Sequence, residues 1–182
     1  RHGFPYTLST VAGDSIERVS AVGGDMFWFQ IYPPASREIC LDLLRRAEAC
    51  GVETLVVTAD VPAPSRRERM RLSGGPSGSR GKGLYSPRVL MQSATRPQWA
   101  LRMLANGGPR FRTMEPYFDR SGGQSITEFI GGQLNGGLDW DYLDVIRDHW
   151  KGKLLLKGIL HGQDAERAVR QGCDALVISN HG

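Results

Sequence analysis

Four residues of this sequence stand out by position as able to hold or move charge in a reaction: His181, Asp60, Lys157 and Arg67. A histidine titrates near neutrality and can accept a proton. A carboxylate such as Asp60 can hold that imidazole in one tautomer and stabilise its charged form. Arg67, in Arg66-Arg-Glu-Arg69, offers a fork that matches a carboxylate. Lys157 follows Leu154-Leu-Leu156, so its ammonium is expected in a cleft and paired with an anion. Hydrogen-bonding Ser9, Gln30, Tyr32, Thr58 and Ser179 complete the set. These types suit proton abstraction beside a carboxylate. Oxidation by that route needs an electron acceptor, which side chains do not supply. No GxSxG nucleophile motif and no evident metal triad accompanies them. Each residue also has a plainer reading: a structural strand-end histidine, a snorkelling lysine, a solvated arginine.

The elements that must position these residues alternate. Tyr6–Ser9, Phe27–Tyr32, Thr54–Thr58, Leu154–Gly158 and Ala175–Ile178 read as strands, from apolar or β-branched runs bounded by Gly, Pro or Asn. Between them, Ser15–Val22, Ser36–Cys50, Asp139–Trp150 and Gln163–Gln171 read as helices. The spacing predicts apolar faces of Ile39, Leu43, Ala47 and Cys50, and of Trp140, Leu143, Ile146 and Trp150. Continuous apolar strands between helices imply a parallel α/β sheet buried on both faces, the last strand included. An open doubly wound sheet and part of a closed barrel both fit. No GxGxxG or GxxxxGK[ST] is present, which argues against the dinucleotide and P-loop forms of the open sheet. In parallel α/β folds chemistry collects at the carboxyl ends of strands. The polar residues singled out above stand at those ends, except Arg67, which follows a strand end at loop distance. From Pro62 to Gly137 the pattern breaks, and residues of about 70–135 read as a lid or loop insertion, with 96–104 as a short helix.

At 182 residues, 40% hydrophobic and 23% charged, the chain suits one soluble domain. No apolar run approaches the ~20 residues of a membrane span. Cys40, Cys50 and Cys173 lack metal-ligand spacing and read as packed free thiols in a reducing compartment. The net charge of +4 is concentrated. From Arg66 to Arg112, arginines and Lys82 are opposed by Glu68 alone, which suggests an anionic partner such as a substrate, a phospholipid surface or nucleic acid. Starting at Arg1 without a Met and ending at Gly182, the sequence reads as an internal piece of something longer.

Six motifs occur in order: Thr7-Leu-Ser-Thr10, Trp28-Phe-Gln-Ile-Tyr32, Thr58-Ala-Asp-Val-Pro62, Arg66-Arg-Glu-Arg69, Leu156-Lys-Gly158 and Ser179-Asn-His-Gly182. Together they resemble the FMN-dependent α-hydroxy-acid dehydrogenase/oxidase family over nearly the whole chain apart from residues 70–135. Pro97-Gln-Trp99 and Pro109-Arg-Phe111 look closest to its bacterial L-lactate dehydrogenase branch. The resemblance implies a partial (β/α)8 barrel of about five strands, with residues 1–182 forming part of one FMN-binding domain. It implies that Ser9, Gln30, Thr58, Lys157 and Ser179 bind FMN, with Lys157 at the N1/O2 edge of the ring. Tyr32 would bond the substrate oxygen, Arg67 its carboxylate, and His181 would be the base oriented by Asp60. The reaction implied is oxidation of an L-2-hydroxy acid, L-lactate or similar, to the 2-oxo acid. Electrons would pass to oxygen, quinone or a cytochrome.

The further expectations are a homo-oligomer when full length, no nucleic-acid partner, and a cytoplasmic protein in peripheral contact with the inner membrane through residues 66–112. Val11 stands where the plant oxidases of this family carry Trp, and His161 where a helix-capping Ser is more usual. Two other readings stand beside this one. The first is a phosphate-binding isomerase on a related barrel. The second is a non-catalytic barrel fragment whose basic loop binds an anionic surface.

Overall fold

The five apolar runs form one sheet in the computed structural model, which describes residues 3–61, 87–107, 110–119, 121, 123–134 and 137–181. The strands are β1 (Tyr6–Ser9), β2 (Phe27–Ile31), β3 (Thr54–Thr58), β4 (Lys153–Lys157) and β5 (Ala175–Val177). All neighbours pair in parallel, in the order β1-β2-β3-β4-β5. A doubly wound sheet reverses its strand order at a switch point. This sheet runs in chain order throughout, which is the arrangement of part of a (β/α)8 barrel. Helices fill the crossovers: α1 (Ile16–Gly23), α2 (Arg37–Ala49), α6 (Trp140–His149) and α7 (Gly162–Arg170).

Local chemistry explains where these helices begin. Ser15, Ser36 and Asp139 each accept a bond from the backbone N–H three residues on, which satisfies an orphan donor of the first turn. His161 does the same for α7 through its imidazole, taking a bond from Gln163 N at 3.3 Å. The helix expected over 163–171 therefore starts one residue earlier.

The core lies between the sheet and these helices. Phe29, Leu55, Val57 and Leu154 of the strands pack with Leu43, Ala47, Leu143 and Ile146 of α2 and α6, all essentially inaccessible to water. Burying each Leu or Ile contributes about 1.5–3 kcal/mol. The faces differ by a residue or two from the expected ones. Helix α2 buries Cys40 and Leu44 rather than Ile39 and Cys50, and α6 buries Tyr142 rather than Trp140. Tyr142 takes the inner place because its hydroxyl donates to the carbonyl of Pro34 at 2.7 Å. Trp140 stays half-buried beneath the guanidinium of Arg167. Cys40 and Cys173 are buried free thiols, and burial pushes both up to about 11.

The last strand is not buried as expected. Ala175 and Val177 are exposed, because among the described residues β5 pairs only with β4 and forms an edge of this sheet. At the other edge, β1 exposes Tyr6 and Thr7.

The chain divides into two compact units, one of Arg1–Pro64 with Arg110–Gly182 and one of Ser65–Pro109. The stretch read as a single insertion is therefore of two kinds. Its later part belongs with the sheet. A 3-10 turn at Glu115–Tyr117 and helix α5 (Ile126–Gln133) bring Met114 and Ile130 into the core. Arg46 fastens this part by donating to the carbonyl of Thr113 and the hydroxyl of Tyr117, each at 2.9 Å. Tyr117 in turn donates to Asp42, and Gln133 accepts from the N–H groups of Ala35 and Ser36. The earlier part, within the second unit, holds helices α3 (Pro87–Ala94) and α4 (Pro97–Asn106). Pro97 opens α4 at its first position, where a missing N–H costs nothing. Leu90, Met91, Trp99, Leu101 and Leu104 of this unit are exposed.

Candidate active site

Strand register brings the carboxyl ends together. Ser9 stands beside Gln30, Thr58 beside Lys157, and Lys157 beside Val177 at the end of β5. Thr10 is fully buried and holds the first two ends. Its hydroxyl donates to Gln30 O at 2.9 Å and accepts from Tyr32 N at 3.1 Å. The Gln30 amide donates to the Thr58 hydroxyl at 2.7 Å. That leaves the hydrogen of Thr58 and the carbonyl of the Gln30 side chain to meet another group.

The charged residues meet one strand further on. Lys157 Nζ donates to Asp60 Oδ2 at 2.6 Å, and the other oxygen, Oδ1, lies 3.0 Å from His181 Nδ1. The Asp60 side chain is 4% exposed, against 29% for His181. Burial alone would raise the Asp60 carboxyl. Hydrogen bonds from Lys157, Ser179 and His181 outweigh it and hold the group down to about 2. Asp60 is thus a carboxylate across the neutral range. The Lys157 ammonium also lies 3.3 Å from His181 Nδ1. A neutral imidazole that gives its Nδ1 hydrogen to Asp60 presents a bare Nε2 on its far side. There Nε2 lies 3.5 Å from the Tyr32 hydroxyl, with the two rings edge to face.

The backbone supports this placement. Among the described residues, His181 alone of the non-glycine residues has a left-handed backbone, φ 67°. That conformation costs about 1–2 kcal/mol for a residue with a Cβ. Its own N–H donates to Ser179 Oγ at 3.1 Å, so the turn Ser179-Asn-His is closed by the serine. Strained residues of this kind cluster where a side chain must be aimed.

Eight of the nine residues singled out from sequence therefore stand at the carboxyl edge of one sheet. His181, Asp60, Lys157, Ser179 and Tyr32 are linked directly, and Gln30 and Thr58 form a second linked pair. Ser9 stands beside Gln30, and its hydroxyl accepts from Val11 N at 3.3 Å. Arg67 lies outside the described residues. Gly158 is not among those nine residues. Its φ is +105°, and a Cβ there would fall 2.5 Å from Asp60 Cβ. A glycine directly after the strand-end lysine was the available signal.

The donor set has the chemistry of a heteroaromatic ring site. A serine, a threonine, a primary amide and an ammonium with two N–H groups beyond the one given to Asp60 can meet ring nitrogens and carbonyls at one edge. These residues fit the isoalloxazine of FMN.

Comparison with known proteins agrees with this fit. The family model for FMN-dependent dehydrogenases matches residues 1–182. A monotopic membrane protein, (S)-mandelate dehydrogenase, is 32% identical over 98% of this chain and 46% of its own, with a TM-score of 0.82. A mandelate oxidase is 30% identical over 98% of this chain and 41% of its own, with a TM-score of 0.67. The chain spans less than half the length of these solved relatives. With its strand order, its polar carboxyl edge and a match over its full length, the chain belongs to the FMN-dependent dehydrogenase family, whose cofactor is FMN.

Proposed function

We propose that the protein oxidises an L-2-hydroxy acid to the 2-oxo acid, with His181 as the base. The observation that carries this reading is the Lys157–Asp60–His181 chain, with contacts of 2.6 and 3.0 Å and Tyr32 at the free imidazole nitrogen. When bound, FMN supplies the acceptor for the two electrons that leave the substrate carbon. The protein's own groups do the rest. Tyr32 bonds the substrate oxygen and, together with Arg67, orients the acid, whose carboxylate Arg67 receives. Of the two protons this oxidation releases, one leaves with the electron pair and His181 Nε2 takes the other. Asp60 keeps the imidazole in the tautomer that can accept it and stabilises the cation that results. Ser9, Gln30, Thr58, Lys157 and Ser179 hold the ring. Lys157 would bring a positive charge to the bound ring.

Mandelate or a similarly bulky acid is the proposed substrate, ahead of the lactate suggested by Pro97-Gln-Trp99 and Pro109-Arg-Phe111. The similar solved structures carry mandelate names. Val11 also puts a small side chain where the plant oxidases of the family carry a large one. Oxygen, quinone or a cytochrome would then accept the electrons.

The test is anaerobic loss of flavin absorbance in the intact protein on adding (S)-mandelate, L-lactate or glycolate. Bleaching fastest with mandelate supports the proposal. Bleaching with lactate alone restores the smaller substrate, and no bleaching with any of the three rejects the reaction.

Peripheral membrane contact belongs to the same proposal. Among the described residues no helix is long and apolar enough to cross a membrane. Exposed Trp99, Leu101 and Leu104 on α4, with Arg96 and Arg102 beside them, favour a helix lying at an anionic surface. Binding to phosphatidylserine vesicles, weakened by salt and by Leu104→Glu, supports it. Equal binding to neutral vesicles would remove the electrostatic part.

A further inference from the structure

We infer that Gly158 is a positioning residue of this site: its lack of a side chain lets Asp60 sit against the end of β4, where it joins Lys157 to His181. This rests on the reading of Asp60 as the partner of a His181 base. A Cβ at Gly158 would lie 2.5 Å from Asp60 Cβ, 2.6 Å from Asp60 N and 2.8 Å from Asp60 Cγ. Contacts under 3.0 Å force something to move. Neither side can retreat easily. Gly158 N donates to Val177 O at 2.9 Å, which ties it to β5, and Ala59 N donates to Lys157 O at 2.8 Å, which ties the approach of Asp60 to β4. The strand ends are pinned on both flanks, so an added methyl group displaces the Asp60 segment. The φ of +105° adds strain for any side chain. Asp60 takes part in three contacts that converge within the same few ångströms, from Lys157, His181 and Ser179. A shift near 1 Å there breaks at least one of them, and misplacement on that scale can cost about 10²-fold in rate.

Gly152, at the other end of β4, supplies the control. A Cβ there would lie 2.4 Å from Glu53 O, an equally severe clash that is remote from Asp60.

The experiment compares Gly158→Ala, Gly152→Ala and Asp60→Asn in the intact protein. The first readout is the titration of the Asp60 carboxyl, followed by carbon NMR without substrate. In Gly158→Ala it moves up from about 2 toward the ordinary 3.8, and turnover of the 2-hydroxy acid falls about 10²-fold, as in Asp60→Asn. Gly152→Ala melts earlier and leaves the titration in place. An unchanged Asp60 titration in folded Gly158→Ala overturns the inference, as does an equal shift in Gly152→Ala.

Should Gly158→Ala not fold, it is placed in an Asp60→Gly background. Folding regained there supports the clash with the Asp60 side chain, and failure there traces the damage to the backbone, through Asp60 N and the φ of +105°, and overturns a role specific to the carboxylate. A shifted titration in a protein that oxidises none of the acids supports the role of Gly158 while the enzymatic reading fails, so the two are told apart.

Discussion

At the amino end of β4, Arg147 reaches over from α6, and at the carboxyl end Lys157 extends from the strand itself. The two side chains are almost equally exposed, 23% and 20%. Each has a closely approached glycine beside it, Gly152 and Gly158. Their partners differ. Arg147 donates to the backbone carbonyls of Trp150, Gly152 and Gly172 and pairs loosely with Asp174 at 3.6 Å. Its hydrogen bonds all go to backbone carbonyls, which never change charge. Lys157 faces a carboxylate that is itself bonded to a titratable imidazole. The amino end also has the larger hollow, about 470 Å³ bordered by Glu48, Arg147, Trp150 and Asp174. The space beside Tyr32 and Thr58 is only about 60 Å³. Size and burial therefore do not separate the fastening end from the end proposed to be reactive. The chemistry of what each cation touches does, as expected where function sits at the carboxyl edge of a parallel sheet.

The largest effect expected from this contrast is on turnover. His181→Gln lowers kcat for the 2-hydroxy acid by about 10²–10⁴-fold, the usual weight of a general base, while the melting temperature stays within a few degrees. Stopped-flow flavin reduction beside calorimetry reads both. A parallel loss of stability would place His181 with the fastening groups.

Arg147→Met is expected to do the reverse. Losing charged hydrogen bonds to several carbonyls lowers unfolding free energy by about 2–3 kcal/mol, seen as an earlier urea midpoint. The rate per folded molecule stays as it was. A fall in kcat with unchanged stability would erase the distinction between the two ends.

The smallest effect is on acid stability. Asp60 is held near 2 in the folded protein, below its ordinary 3.8. The stability this provides is present above about pH 4 and is lost as pH falls through 2. Glu17, bonded to Arg46 at 2.8 Å and also held near 2, behaves in the same way. Asp60→Asn should therefore flatten the loss between pH 4 and pH 2 only in part. Urea midpoints at those two pH values check it, and an unaltered slope would mean that the Lys157–Asp60 contact is not maintained.

Much of the frame was legible from short-range pattern. Leu154-Leu-Leu156 and Thr54-Leu-Val-Val-Thr58 read as strands because continuous apolar runs suit a sheet covered on both faces. Ser15, Ser36 and Asp139 read as caps because their side chains bond the next turn of their own helix. Where the outcome depends on partners far along the chain, local pattern misleads. Residues 110–134 resemble a lid in sequence because their attachment to α2 and to the turn before α1 is set by Arg46, Asp42 and Asp14, not by their own periodicity. The composition of β5 suits a buried strand and carries no sign that, among the described residues, it pairs on one side alone. Helix α2 turned Cys40 inward instead of Cys50, because the docking angle of a helix belongs to the surface that receives it.

What the sequence determined by itself was the alternation of strands and helices and the set of polar residues at the strand ends. Those follow from backbone propensity and from neighbours within a turn or two. What only the tertiary structure decided was which of those residues meet. Asp60 and His181 are 121 positions apart, and Lys157 and Asp60 are 97 apart. Parallel register, the bond from Ala59 N to Lys157 O, and a glycine with no Cβ bring them within hydrogen-bonding distance. Such contacts depend on the whole sheet being assembled, so no local stretch of sequence carries them.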